Sequence, residues 1–279
     1  MTFTPARSAF LLGVLVVSIA IATPAGAQQD QPDEDRRILP AQPDYTVNVL
    51  PTAMRVPLHR SAFRVTHRFT RPLGQGDFGD LVDDLFGLDG GALIGLEYRF
   101  GLFRGLQVGI HRTSLEKTIE FFGQYGVVRQ GESRPVGVSA WVSVEGIDNF
   151  RDNYSTALGA IFSRIAGERA AFYLEPLWVA NTNPFSSVTG DSNDTFVLGL
   201  STRLRIRPTV YVVGEWAPRL AGFDPGVHHG SFAIEKRAGG HVFQLNFSNA
   251  LGTTMAQLAR GGFDNDDWYM GFNISRRFN

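Results

Sequence analysis

Apolar and polar residues alternate one by one over most of the chain beyond residue 60. Residues 195–216 show it best. Phe196, Leu198, Leu200, Thr202, Leu204 and Ile206 share one parity, and Val197, Gly199, Ser201, Arg203 and Arg205 share the other. A tight Arg207-Pro208 turn follows. On the returning arm Val210, Val212, Gly214 and Trp216 take the apolar side, against Tyr211, Val213 and Glu215. Period-two alternation marks a strand with two unlike faces. Arms of about ten residues match tilted strands that cross a bilayer.

The same unit recurs. The first strand, about 61–71, has Phe63, Val65 and Phe69 outward and Arg64, Thr66 and Arg68 inward; His67 falls on the outward parity as an irregularity. Further strands are predicted near 92–100, 106–111, 116–129, 136–145, 154–164, 170–180, 195–206, 210–216, 232–235, 242–247 and 268–278. Long connections are expected at 72–91, 146–153, 181–194, 218–230 and 250–265, alternating with short ones at 101–105, 130–134, 165–169, 207–208 and 237–240. The turn near 112–115 is short where a long loop is due. In the first long loop Phe78, Leu81, Val82, Leu85 and Phe86 recur at helical spacing, which predicts a short amphipathic helix ended by Gly90-Gly91.

Short turns on one side and long loops on the other are the habit of outer-membrane barrels. The pattern therefore predicts an all-β fold, a transmembrane antiparallel up-and-down β-barrel of about twelve strands with a short helix in the first outer loop. A water-soluble sandwich or barrel also alternates. With this many strands, however, a soluble barrel would enclose more space than side chains can fill. The predicted outward faces also end in aromatics, Tyr98, Tyr154, Trp178, Trp216 and Trp268, as interfacial girdles do.

The beginning of the chain sets the compartment. Arg7 is followed by an apolar run over residues 10–22 and by the small residues Ala25-Gly26-Ala27, so 1–27 reads as a signal peptide, too short to span a membrane. Residues 28–59 carry Pro32, Pro40, Pro43, Pro51 and Pro57 and read as an extended periplasmic leader that packs into or under the barrel mouth, with 28–40 as its disordered part. The barrel takes 60–279. The expected location is the bacterial outer membrane, with outer-membrane lipid and lipopolysaccharide as surroundings and a periplasmic or surface protein as a further partner.

Composition narrows the function classes. With 26 basic and 27 acidic residues there is no basic face for nucleic acid. The absence of Cys excludes a disulfide framework. The mean hydropathy near zero fits a barrel, in which lipid-facing and lumen-facing residues cancel.

Particular residues carry a family resemblance. They are His67-Arg68-Phe69 through Phe86-Gly87-Leu88-Asp89, then Leu96-Glu97-Tyr98 and Gly101, and Gly109-Ile110-His111-Arg112-Thr113-Ser114 with Lys117-Thr118. Over about residues 55–278, and most specifically over 67–122, the chain resembles an uncharacterised family of bacterial membrane-bound β-barrel domains. The resemblance implies an outer-membrane barrel of unknown role and carries over no catalytic residues. Strands of such barrels end on an aromatic; here Phe278, in phase with the lipid face and expected to act as the sorting signal, is followed by Asn279.

The inward parity supplies the candidate lumen: Arg64, Arg68, Arg99, Arg203 and Arg205 with Glu97, Glu120, Glu145, Glu175, Glu215 and Glu235, and His111 among them. Strands about 4.8 Å apart and tilted by about 40° give a backbone diameter near 24 Å and a lumen of roughly 10 Å. That width suits a small solute or closure by Arg–Glu pairs, and mixed charge argues against strong ion selectivity. Glu97 and Arg99 are expected at the narrowest part.

Three acidic loop clusters, Asp80/Asp83/Asp84, Asp191/Asp194 and Asp264/Asp266/Asp267, lack the distal bidentate Glu of a calcium loop and read as solvated turns. The adjacent His228-His229 is too little for a metal. No metal and no cofactor is called for. A lipid hydrolase on the outer wall would need a nucleophile, base and orienter together. His67 has no Ser two positions away, and no nucleophile elbow or phosphate loop occurs, so an enzyme is not expected. The functional expectation is a small passive channel or structural barrel with a mixed-charge lumen. The alternative is a docking or receptor barrel that binds a partner through its outer loops or leader.

Overall fold

Thirteen strands form one antiparallel sheet in the computed structural model, which describes residues 34–183, 192–264 and 267–278. They are β1 (Ser61–Phe69), β2 (Ala92–Phe103), β3 (Leu106–Thr113), β4 (Ile119–Val128), β5 (Gly137–Gly146), β6 (Asp152–Ala166), β7 (Ala170–Val179), β8 (Thr195–Arg207), β9 (Val210–Ala217), β10 (Arg219–Gly222), β11 (His229–Ala238), β12 (His241–Ser248) and β13 (Tyr269–Phe278). Each pairs with its chain neighbour, β9 passes to β11, and β13 returns to β1 with Ser61 opposite Phe278, so twelve strands close a ring. The thirteenth, β10, continues β9 along β8 after Pro218, whose ring has no N–H to give the ladder.

The predicted strands and the two-sided loop pattern are present, with local differences. The fourth strand begins at Ile119, not near 116, because Leu115–Lys117 forms a 3-10 turn with Glu116 at φ 52°. The ninth connection contains β10, and the strands expected at 232–235 and 242–247 run longer at both ends. The first-loop helix is Phe78–Asp83, capped by Asp77, whose carboxylate accepts from the Gly79 and Asp80 N–H groups. A second helix, Met255–Arg260, sits in the last long loop, where the alternation predicted none. The signal-peptide reading, Asp191, Asp266 and Asn279 lie outside the described residues.

Side-chain exposure follows strand parity. On β2, Leu96 and Tyr98 are exposed while Glu97 and Arg99 are buried; on β11, Phe232 and Ile234 are exposed while Ala233 and Glu235 are buried. Apolar side chains outside and charges inside is the inverse of a soluble protein, and only a lipid surround stabilises it. Ile234 lies mid-strand between Val212 and Leu245. Ile234→Arg is expected to destabilise the barrel in lipid vesicles by about 2–4 kcal/mol, measured by denaturant unfolding, with Ile234→Leu near neutral. Equal stability of the two variants would contradict a lipid-facing position.

Candidate functional site

Eleven of the twelve residues predicted to line the lumen are buried: Arg64, Arg68, Glu97, Arg99, His111, Glu120, Glu145, Glu175, Arg203, Glu215 and Glu235. Arg205 instead reaches the short-turn rim, where it meets Glu168 at 3.2 Å. Several pair with one another, within a strand, across neighbouring strands, or, for Arg203 on β8 and Glu235 on β11, over the intervening β9. Arg203 grips Glu235 with two hydrogen bonds of 2.7 and 2.9 Å, both side chains fully buried. Glu97 takes Arg99 and, at 3.5 Å, Arg64. His111 lies 3.8 Å from Glu120, and His229 lies 3.4 Å from Glu215. Arg99 also stacks over Phe122, its guanidinium 4.7 Å from the ring centre.

What fills the space between these walls is the leader. It enters from the short-turn end beside Gly101, where an added Cβ would stand 2.1 Å from the Pro57 carbonyl oxygen. Its turn at residues 47–50 reaches Glu215. The N–H groups of Asn48, Val49 and Leu50 donate to that carboxylate at 2.5, 3.0 and 2.9 Å. The opposite polarity is served too. Arg64 donates to the Asn48 carbonyl, Arg68 to the Asn48 side chain at 2.9 Å, Arg203 to the Thr46 carbonyl at 2.7 Å and Gln244 to the Val47 carbonyl at 2.6 Å. On the far wall Gln124 donates to Thr52 O at 2.9 Å, and Gln107 accepts from Val56 N at 2.9 Å. A segment bonded to β1, β3, β4, β8, β9 and β12 of a closed ring lies inside that ring.

The leader's own sequence explains its shape. Pro40, Pro43 and Pro51 remove donors that the wall could not all satisfy. The remaining turn closes on itself through Val47 N to Leu50 O at 2.9 Å and Thr52 N to Tyr45 O at 2.8 Å. Val47, Val49 and Leu50 then join the buried apolar cluster with Phe122, Trp141 and Leu177. Burying one such side chain contributes about 1.5–3 kcal/mol.

The helix Met255–Arg260 fills the long-loop end. Glu120 and Glu145 stand directly opposite each other on β4 and β5, a repulsive placement for two carboxylates. The start of the helix offsets it. Ala256 N and Thr254 Oγ1 donate to Glu145 at 3.0 Å each, and Met255 N donates to Glu120 at 3.4 Å. At the other end Arg260 reaches Glu116 at 2.8 Å and Thr182 O at 3.1 Å. Met255, Ala256, Leu258 and Ala259 are buried. The alternation analysis missed this helix. The signal was the run of small and apolar residues over 250–259, without a charge, in a loop expected to face water.

The other singled-out residues do not converge. His229 points inward, whereas its neighbour His228 sits at the rim against Trp216 with ring centres 6.5 Å apart. Among the described residues no group of three His, Asp or Glu could hold a metal. Asp84 pairs with Arg71 at 2.5 Å, and Asp80 closes a capping box. His67 stacks on Phe272 with ring centres 4.6 Å apart on the outer wall, and its Nδ1 has no hydrogen-bond partner. Tyr154, Trp178 and Trp216 are exposed near the long-loop ends of their strands, Trp268 lies beside Phe232, and Tyr98 stands in the short-turn half. Phe278 is exposed on the outer face under the Arg276 guanidinium.

Because Arg203 and Glu235 are both fully buried, Arg203→Ala is expected to cost about 3–5 kcal/mol by leaving a lone charge, while the double change Arg203→Met, Glu235→Leu costs far less. Denaturant melts of the three proteins check this; equal losses would contradict it.

No curated protein matches the chain. Among solved structures, the KdgM porin in complex with disordered oligogalacturonate is similar with TM-score 0.50 at 7% identity, covering 79% of this chain and 99% of that one. The NanC porin gives TM-score 0.50 at 8% identity, with the same coverage. The outer membrane protein Omp33 of Acinetobacter baumannii gives TM-score 0.45 at 12% identity, covering 79% of this chain and 98% of that one. The likeness to the KdgM and NanC porins, at 7% and 8% identity, is one of fold: a β-barrel. The family model for the membrane bound beta barrel domain (DUF5777) matches residues 47–278, which take in the turn seated on Glu215 and every strand of the ring, and the chain belongs to that family.

Proposed function

We propose that this outer-membrane protein is a structural barrel with a mixed-charge lumen, closed in its resting form by its own leader and last long loop, and that it carries no catalytic activity. The observation that supports this reading most directly is the use of the wall charges. Glu215, Arg64, Arg68 and Arg203 serve the leader, and Glu120 and Glu145 serve the loop helix. A passive channel would keep such groups hydrated along an open path. The two fillings sit in series, one reaching in from the short-turn end and one capping the other end. Mixed charge within so filled a space stabilises an inserted segment better than it selects an ion.

A docking role through the outer loops has separate support. Phe78, Leu85 and Leu88 in the first long loop are exposed beside Asp77, Asp80 and Asp83. An apolar and acidic loop of this kind suits a basic partner protein at the cell surface.

Planar-bilayer recording distinguishes the closed barrel from the channel. The purified full-length protein is expected to insert without a steady current. A constant conductance from the unmodified protein would overturn the closed reading.

A further inference from the structure

The leader is held inside the barrel by side chains of the wall. Among the described residues, the backbone of 41–57 makes backbone hydrogen bonds only within the leader and its immediate continuation, such as Gln42 N to Leu39 O, Val47 N to Leu50 O and Arg60 N to Pro57 O. Every described hydrogen bond that ties residues 41–57 to the wall passes through a side chain, and the leader meets the wall backbone to backbone at His59 N to Gly101 O, 2.8 Å. Its departure would break no rung of the barrel ladder.

One place on the wall is shaped for it. Glu215 gathers three consecutive N–H groups of the turn on one carboxylate. The same carboxylate is held by Ser231 Oγ at 3.4 Å and faces His229 at 3.4 Å, so it is oriented by the wall itself. Beside it Leu50 enters a hole at Gly199: an added Cβ there would stand 3.0 Å from both Leu50 methyls and 3.1 Å from Glu175 Cβ. The hole accepts a leucine because residue 199 has no side chain. On the other side of the turn Arg64 and Arg68 take the carbonyl and side chain of Asn48.

We propose that Glu215 and Gly199 form a seat on the inner wall for a peptide turn with a leucine at its end, and that the leader turn of residues 47–50 is its displaceable occupant. The inference rests on the closed reading of the lumen and adds what holds the closure and lets it go. The seat reads backbone polarity and one leucine. When it empties, Glu215, Arg64 and Arg68 face a space that water can enter, so no charge is left dry. That makes release a local exchange and not an unfolding of the barrel.

The chain has no Cys, so one introduced thiol reports on one place. Val49→Cys, buried in the seated turn, is compared with Ala256→Cys, buried in the loop helix, each in the full-length protein in lipid vesicles with a small charged thiol reagent. Adding Glu215→Gln is expected to raise the labelling rate at position 49 by about tenfold or more, the loss of a charge-assisted hydrogen bond, and to leave position 256 unchanged. Gly199→Leu, which fills the hole and leaves Glu215 in place, is expected to do the same. The barrel's gel mobility before and after heating confirms that the ring is intact. Unchanged labelling at 49 in both folded variants overturns the seat, as does an equal rise at 256, which would mean general loosening. Bilayer current from the unmodified protein tests the closed reading separately: a steady current with seat-dependent labelling keeps the seat and removes the closure.

Discussion

The interior depends on pairing wall charges with the polypeptide backbone of inserted segments. A ring of twelve strands encloses more space than its own side chains can close. The lipid outside leaves the charged residues nowhere to point but inward. Once inside they need partners, because an unpaired charge away from water is costly. A peptide turn supplies both kinds. Its N–H groups converge on Glu215, and its carbonyls face Arg64, Arg203 and Gln244. No single side chain offers both polarities at that spacing.

The apolar part of the closure is secondary in position but not in energy. Val47, Val49 and Leu50 sit within the same buried cluster as Trp141 and Leu177. The wall supplies apolar side chains on this parity too, among them Phe122, Ile161 and Val213, so leader and wall share one core. The loop helix repeats the arrangement at the other end, with Glu120 and Glu145 as acceptors and Met255 and Leu258 as filling. Two separate segments thus satisfy two separate groups of wall acids. Their apolar side chains nevertheless belong to one buried cluster, which joins the two ends.

Much of the wall was legible residue by residue. Strand parity assigned the Glu97, Arg99, Glu145, Glu175 and Glu235 side chains to one face because neighbouring Cβ atoms in a strand point to opposite sides. The helix at Phe78–Asp83 was legible from the helical spacing of Phe78, Leu81 and Val82. The helix Met255–Arg260 was not, because residues 255–259 are buried all round and leave no polar face to set a period. The sequence analysis left His228 and His229 together in a long loop, and the start of β11 at His229 separates them between rim and lumen. Only the distance to Glu215 shows which one serves the seat.

Alternation by itself determined that this chain forms a closed antiparallel barrel in a membrane, since a period of two with charges on one parity has few other stable outcomes. It determined which charges face inward. What those charges hold was decided by tertiary structure alone. Leader and wall are separated by up to 231 residues, as for Asp44 and Ser275, and no local rule links a proline-rich turn to a glutamate on the ninth strand. That partnership arises only when the ring closes and forces both into the same water-poor space.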